Sequence, residues 1–325
     1  MRFLFLLALL VADPASAQPV SYEKRPEVRS FIREIAARHG FVEKELRSLF
    51  ARVERAEPVL EAIRKPPEPP VWSDYRALFL TDKRIQGGLE FWQAHQAVLE
   101  RAEREYGVPA QVTVAIIGVE TFYGRNTGRW RVIDALTTLA FDYPPRSRFF
   151  RSELEHYLVL ARDNGQDVLA VRGSYAGAIG IPQFMPSSTR AYAVDFDGDG
   201  VIDLRASTAD AIGSVASFLS KHGWQPGAPV QLKPVLSGEA WRAYAGGSVD
   251  PKHPLSALRE AGVQLAEAPS LPEDTRAALI DLGSELRVGL RNFYVITRYN
   301  RSALYAAAVA DLAEALRAAP QSPGR

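Results

Sequence analysis

Pro109-Ala-Gln-Val-Thr-Val-Ala-Ile-Ile-Gly-Val-Glu-Thr-Phe-Tyr-Gly124 is an apolar segment that carries a single acid. Pro109 suits a first helical position and Gly124 a helix stop, so the spacing predicts a helix between them. Val112, Val114, Ala115, Ile116, Ile117 and Val119 leave no polar face, which predicts passage through a core. Glu120 then sits where a carboxylate is costly. Burial raises the pKa of an acid, and the negative end of the helix dipole acts in the same direction. A carboxyl that keeps its proton near neutral pH is what general acid catalysis requires. The segment alone leaves a second reading open, a buried Glu held for structural reasons by an Arg or by backbone N–H groups, which is the commoner fate of an isolated buried Glu.

On the N-terminal side, residues from about Arg25 to Glu105 read as helices. Val28, Phe31, Ile32 and Ile35 recur at helical period up to Gly40, and Val42, Leu46, Leu49 and Phe50 do so in the next segment. Pro66-Pro67-Glu68-Pro69-Pro70 reads as a stiff extended connection, and another helix is expected from about Asp82. The first residues, a single Arg followed by an apolar run and then Ala15-Ser16-Ala17, have the pattern of a secretory signal peptide cleaved after Ala17. That run is too short to span a bilayer, and no transmembrane anchor is expected elsewhere. The expected location is the periplasm.

The 325 residues contain no Cys, which removes disulfides, thiol catalysis and thiolate metal sites. A formal net charge of +1 argues against nucleic acid as a partner. The five His lack metal-ligand spacing, and no nucleophile elbow, phosphate loop or dinucleotide fingerprint occurs.

On the C-terminal side, Val132 to Ala140 and Phe149 to Arg162 read as helices separated by Tyr143-Pro144-Pro145-Arg146. Gly173 to Ser188 is rich in small residues and carries Ser174, Tyr175 and Gln183 as hydrogen-bonding groups, a composition that suits either a cleft for a polar ligand or a tight loop. Asp195-Phe-Asp-Gly-Asp-Gly-Val-Ile-Asp203 matches the first nine positions of an EF-hand calcium loop, with Ala206 where the twelfth-position Glu should stand and Asp210 able to close a longer loop. Alternating Val230, Leu232 and Val235 among Gly and Pro predict a small strand-containing subdomain over 227–291. Asn292 to Asn300 reads as a strand-like run that leads into a helix bearing Leu304, Ala307, Ala308, Leu312 and Leu316.

Taken together, Gly118-Val-Glu-Thr121, Gly173-Ser-Tyr-Ala-Gly-Ala178, Gln183-Phe-Met-Pro-Ser-Ser188, Ala193-Val-Asp-Phe-Asp-Gly-Asp-Gly200, Asp210-Ala-Ile-Gly-Ser-Val215 and Asn292-Phe-Tyr-Val-Ile-Thr-Arg-Tyr-Asn300 resemble the lytic murein transglycosylases of the MltB type, glycoside hydrolase family 103, in a soluble form without the lipoprotein Cys. The resemblance runs from about Tyr22 to Leu316. It implies a mainly α, α+β fold: a lysozyme-like core at 108–226 with its EF-hand-like loop at 195–210, a helical domain at 18–107 completed by 292–319, the strand-containing insert, and a frayed tail at 320–325.

The implied substrate is the peptidoglycan glycan strand, cleaved at the MurNAc–GlcNAc β-1,4 bond with formation of a 1,6-anhydroMurNAc end. Glu120 matches the sole acid/base, in one of the substrate-assisted exceptions to the two-carboxylate rule. Asp134 and Asp142 are the other carboxylates considered. Ser174, Gln183, Arg146, Tyr299, Asn300, Tyr305 and Tyr75 match substrate-binding positions, with Ser174 expected to hydrogen-bond Glu120. Pro145 stands where the family has a first arginine before Arg146, and Phe218 stands where the family can carry a Tyr, keeping a stacking face for a sugar ring. Asp195, Asp197, Asp199, Val201 and Asp210 match a structural Ca2+ site, and no cofactor is implied for catalysis. The alternatives are a non-catalytic peptidoglycan-binding scaffold and a hydrolytic muramidase of the same fold.

Overall fold

The computed structural model describes residues 21–65, 71–265 and 271–319. The expected signal peptide at 1–17, the proline connection at 66–70 and the tail at 320–325 lie outside the described residues. Among the described residues, those up to Glu54 form one compact unit and those from Arg55 onward a second. In the first, α1 (Pro26–His39) buries Val28, Phe31, Ile32 and Ile35 and stops at Gly40 in the left-handed conformation, while α2 (Glu43–Phe50) buries Leu46 and Phe50. The rings of Phe31 and Phe50 meet edge to face at 6.2 Å.

The second unit opens with α3 (Glu57–Arg64), α4 (Trp72–Phe79), α5 (Asp82–Ala94) and α6 (Gln96–Tyr106). The break between α5 and α6 falls at His95 and divides what the periodicity reads as one helix. Next comes α7 (Ala110–Thr121), with Pro109 as its N-cap and every residue from Val112 to Gly118 buried. The expected core helix is therefore present. It is enclosed by α5, α6, α11 (Thr208–Lys221) and α14 (Ala303–Ala318). Between α7 and α11 the chain forms β1 (Trp130–Arg131), α8 (Val132–Asp142), α9 (Ser147–Asp163), β2 (Arg172–Gly173) and α10 (Pro186–Tyr192). β1 and β2 pair antiparallel with Trp130 opposite Gly173.

The region 227–291 is strand-containing, as its alternation predicts. β3 (Gln231–Leu232), β5 (His253–Pro254), β7 (Arg276–Asp281) and β8 (Leu286–Gly289) form a four-stranded sheet in the order β3-β8-β7-β5, while β4 (Pro234–Leu236) pairs with β6 (Val263–Leu265). All of these pairings are antiparallel. Leu255 and Leu258 from α12 (Leu255–Glu260) join Val263, Ala277, Leu279, Val288 and Leu290 in a separate small core.

One local reading is corrected. Arg291–Tyr299 is a helix, α13, and not a strand-like run. Its β-branched and aromatic content favours a strand, but Arg291, Tyr294 and Arg298 are partly exposed along one face, and both guanidinium groups lie over the Tyr294 ring at 5.3 and 5.7 Å. That helical spacing buries Phe293, Val295, Ile296 and Thr297, and packing overrides propensity.

Candidate active site

Glu120 is the penultimate residue of α7, and unlike the fully buried run before it, it is partly exposed. The helix ends abruptly after Thr121, because Phe122 (φ 52°), Tyr123 (φ 62°) and Gly124 (φ 82°) are all left-handed. Two successive non-glycine residues in that region store backbone strain, which persists only where the surroundings hold it. Here Thr121 Oγ1 accepts from Gly124 N at 2.9 Å and donates to Ile181 O at 2.9 Å. Tyr123 Oη donates to Arg84 O at 2.8 Å, and the Arg84 guanidinium in turn donates to Gly118 O. The turn thus clamps the acid-bearing end of α7 to α5 and to the Ile181 loop.

The hydrogen bond on Glu120 comes from Tyr305, whose Oη donates to Oε1 at 2.6 Å. Tyr305 stands on the first turn of α14, just after the Ser302 cap, and is 2% exposed. Burial raises the Glu120 pKa from 4.5 to about 7, and the Tyr305 hydrogen bond opposes that rise. The negative charge of Glu120 reaches Tyr75, Tyr299 and Tyr305, and with burial it pushes all three phenols up. Each therefore stays a hydrogen-bond donor at any working pH. Tyr299 and Tyr305 lie nearly parallel with centroids 6.5 Å apart, and Tyr299 Oη donates to Pro182 O at 2.6 Å.

The remaining expected site residues divide. Gln183 is left-handed (φ 51°), and its Nε2 donates to Gly180 O at 2.8 Å and Thr127 O at 3.1 Å, tying two loops together. Ser174 does not hydrogen-bond Glu120: its Oγ accepts from Ala178 N at 3.0 Å and Ala176 N at 3.3 Å, inside its own turn. Phe218 presents no free face. It is 5% exposed and is covered by His222 at 4.1 Å, Tyr192 and Tyr299 each at 4.9 Å, and Phe184 at 5.6 Å. A phenylalanine has no polar tip to keep in the cleft, and this ring backs Tyr299 from the core. Arg146 is exposed, with its guanidinium over the rings of Phe149 and Phe150 at 4.4 and 5.1 Å. Asn300 is exposed at the end of α13, where its carbonyl accepts from Ser302 N at 2.7 Å.

The other carboxylates have structural partners. Asp134 accepts two bonds from the Arg131 guanidinium at 2.5 and 2.9 Å, and Asp142 lies 3.3 Å from Arg55. Glu153, 4% exposed, caps α10 by accepting from Ser187 N at 2.9 Å and Ser187 Oγ at 2.7 Å. Glu153 is thus the buried structural Glu; Glu120, with one phenol for a partner and an open side, is of another kind. A cavity of about 710 Å3 lies in the sheet region, lined by Trp241, Glu285 and Arg287 among others and by none of the expected site residues.

In the acidic loop, Asp195, Asp197 and Asp210 bring one carboxylate oxygen each within 4.8 Å of one another. The extra residue before Asp210 does not keep it out of this group. Asp199 stands outside it, its Oδ1 accepting from Val201 N at 2.8 Å. Asp210 is fully buried and accepts from Phe196 N at 2.7 Å and Asp203 N at 2.8 Å, while Asp195 accepts from Gly198 N and Gly200 N at 2.7 and 2.8 Å. Each carboxylate oxygen holding one N–H keeps a second lone pair, so the donor set fits a hard cation such as Ca2+.

Comparison with known proteins agrees with this architecture. The family model described as transglycosylase SLT domain matches residues 23–314. Membrane-bound lytic murein transglycosylase B of Escherichia coli K12 is 40% identical over 309 residues, covering 91% of this chain and 84% of that protein. The catenated lytic transglycosylase SltB1 of Pseudomonas aeruginosa superposes with a TM-score of 0.87 at 49% identity, over 91% of this chain and 98% of its own. Escherichia coli Slt35, solved in complex with calcium, does so with a TM-score of 0.81 at 39% identity, over 90% of this chain and 93% of its own. The chain belongs to the transglycosylase SLT domain family, and it is a lytic transglycosylase acting on peptidoglycan.

Proposed function

We propose that Glu120 performs both proton transfers of this reaction. As the carboxylic acid it gives its proton to the glycosidic oxygen between MurNAc and GlcNAc while the C1–O bond breaks. The carbonyl oxygen of the MurNAc acetamido group closes on C1 to give an oxazolinium ion. The Glu120 carboxylate then takes the proton of the C6 hydroxyl of the same sugar as O6 attacks C1 and opens that ring. A 1,6-anhydro end leaves, Glu120 has its proton back, and no water is consumed.

The observation that carries this reading is a partly exposed carboxyl at the end of a buried apolar helix, hydrogen-bonded to a phenol and raised by burial to a pKa of about 7. A group of that pKa is divided between acid and conjugate base at neutral pH, which suits one residue to both steps. The Tyr305 phenol donates to the carboxylate and steadies it between them. Tyr75 offers a hydroxyl and a ring face for the sugars; Tyr299, its Oη bound to Pro182 O, and Gln183 support the cleft beneath, and Arg146 and Asn300 are exposed groups available to the strand.

Asp195, Asp197 and Asp210, with the Val201 carbonyl, would hold Ca2+ as a structural ion, which takes no part in the proton transfers. The presence of calcium in the Slt35 structure supports this. We place the enzyme's work in the periplasm, where its substrate lies; no helix among the described residues is long and apolar enough to cross a membrane.

Mass spectrometry of sacculi digested by wild type and by Glu120→Gln tests the assignment. The amide keeps the shape and loses the proton, so 1,6-anhydromuropeptides should fall by about three orders of magnitude. Equal product from both enzymes would exclude Glu120, and reducing ends in place of anhydro ends would make water the acceptor.

A further inference from the structure

The short helix α4, packed along α14, brings Tyr75 into electrostatic reach of Glu120. It has eight residues, no side chain caps its N-terminus, and only Trp72 is buried. Val71 before it and Leu78 within it are 59% and 63% exposed. A helix this short is marginal alone and takes its position from its anchors. Trp72, Tyr75 and Arg76 share one face at i, i+3 and i+4, so whatever pins Trp72 and Arg76 also sets Tyr75.

Both pins are carboxylates, and the sheet supplies or supports each. Trp72 Nε1 donates to Glu285, in the turn between β7 and β8. Arg76 Nε lies 2.7 Å from Asp311 Oδ2 on α14. Arg287 on β8, 4% exposed, joins the two carboxylates, with its guanidinium 2.6 Å from Glu285 and 3.7 Å from Asp311. Gln231 on β3 donates to Asp311 Oδ1 at 2.9 Å. A buried charge network of this kind adds little net stability, and its attested use is to specify one arrangement over others. The sheet keeps a hydrophobic core of its own, to which Glu285, Arg287 and Gln231 do not belong, so these polar groups remain available to α4.

We propose that the four-stranded sheet serves as a brace for the cleft, with Glu285 as a positioning residue that, together with Arg287, Gln231 and Asp311, holds α4 so that Tyr75 faces the acid. The inference rests on Glu120 being the reacting acid. The two are separable, because Glu120→Gln tests the acid, whereas the coupling between positions 285 and 75 is read with Glu120 in place.

The experiment is a double-mutant cycle on soluble glycan strands, with kcat/KM followed across pH for Glu285→Ala, Trp72→Phe, Tyr75→Ala and Glu285→Ala/Tyr75→Ala. The Glu285 side chain is 36% exposed and Trp72→Phe keeps a buried ring, so both single variants retain the core. Each should lower kcat/KM by about tenfold, the scale set by a small misplacement of a substrate-contacting group. Each should also move the alkaline limb to lower pH, because a displaced Tyr75 admits water to Glu120. The double variant should be no worse than Tyr75→Ala alone. Effects that multiply in the double variant, or a Glu285→Ala enzyme with wild-type kcat/KM and an unmoved limb, would overturn the brace.

Discussion

At Glu120 two influences oppose each other: burial favours the neutral acid, and the Tyr305 phenol favours the carboxylate. The sign of a Tyr305→Phe change follows. Removing the donor takes away the lowering influence, so the pKa rises beyond about 7 and the acid form survives to higher pH. The alkaline limb of kcat/KM should move upward, while in the proposed mechanism kcat falls because the carboxylate that would accept the C6 proton has lost its steadying partner. A limb that stays in place or moves down would refute this assignment of Tyr305. The sequence marks Glu120 well, since one acid in an apolar helix is visible to any reading of polarity. It does not reveal the donor, because Glu120 and Tyr305 are 185 positions apart and only the packing of α14 along α7 brings them together. Ser174 is the nearer guess from motif content alone, but its hydroxyl oxygen is turned to accept the N–H groups of its own turn, and no hydrogen bond joins it to Glu120.

At the scale of the element, the end of α7 depends on a glycine inside the helix. A Cβ at Gly118 would lie 2.7 Å from Cε1, Cζ and Oη of Tyr123. That ring cannot simply withdraw, because Oη is bound to Arg84 O and the residue's own backbone is left-handed. Gly118→Ala would gain about 1 kcal/mol of helix propensity. Against this, forcing a methyl into a filled space costs about 1 to 3 kcal/mol, and the ring hydrogen bond is put at risk as well. Denaturant unfolding should show a net loss of stability, and kcat should fall with it because Glu120 is only two residues further on. A variant as stable and as active as wild type would mean that Tyr123 does not fix this turn. The helix itself is legible in the sequence through its continuous apolar run. Its termination is not: Gly124 reads as the stop, whereas the chain turns at Phe122 and Tyr123, which no propensity favours in that conformation. The same limit applies to α13, where local composition favours a strand and burial decides for a helix.

Over the whole molecule, the longer apolar helices, the strand-containing region and the acidic loop are readable from period and turn chemistry, since each is a local property, whereas the break at His95, the short α10 and α12, and the helical state of α13 are not. The polar bridges between distant segments, such as Trp72 to Glu285, leave no local trace. The acidic loop shows how a local motif becomes a global one. Phe196 from this loop is 5% exposed, packs against Tyr106 of α6 at 6.0 Å and is covered by the Arg101 guanidinium at 3.7 Å, so the loop is joined to the core around α7. Asp210 joins it a second time by accepting the Phe196 and Asp203 N–H groups from the first turn of α11. An ion bound here should stabilise the second unit as a whole. Calcium at a hundredfold excess over its Kd adds about 2.7 kcal/mol, which raises Tm by roughly 5 °C for a unit of this size. Two substitutions separate the ion from the scaffold. Asp197→Ala removes an exposed ligand, so Tm without calcium should change little while the calcium-dependent rise is lost. Asp210→Ala leaves two backbone N–H groups without their acceptor and should lower Tm even without calcium, by an amount equivalent to roughly 2 to 4 kcal/mol. If calcium leaves the wild-type Tm unmoved at every concentration, the loop is a polar joint that binds no ion; if it raises wild type and Asp197→Ala equally, Asp197 is not among the ligands.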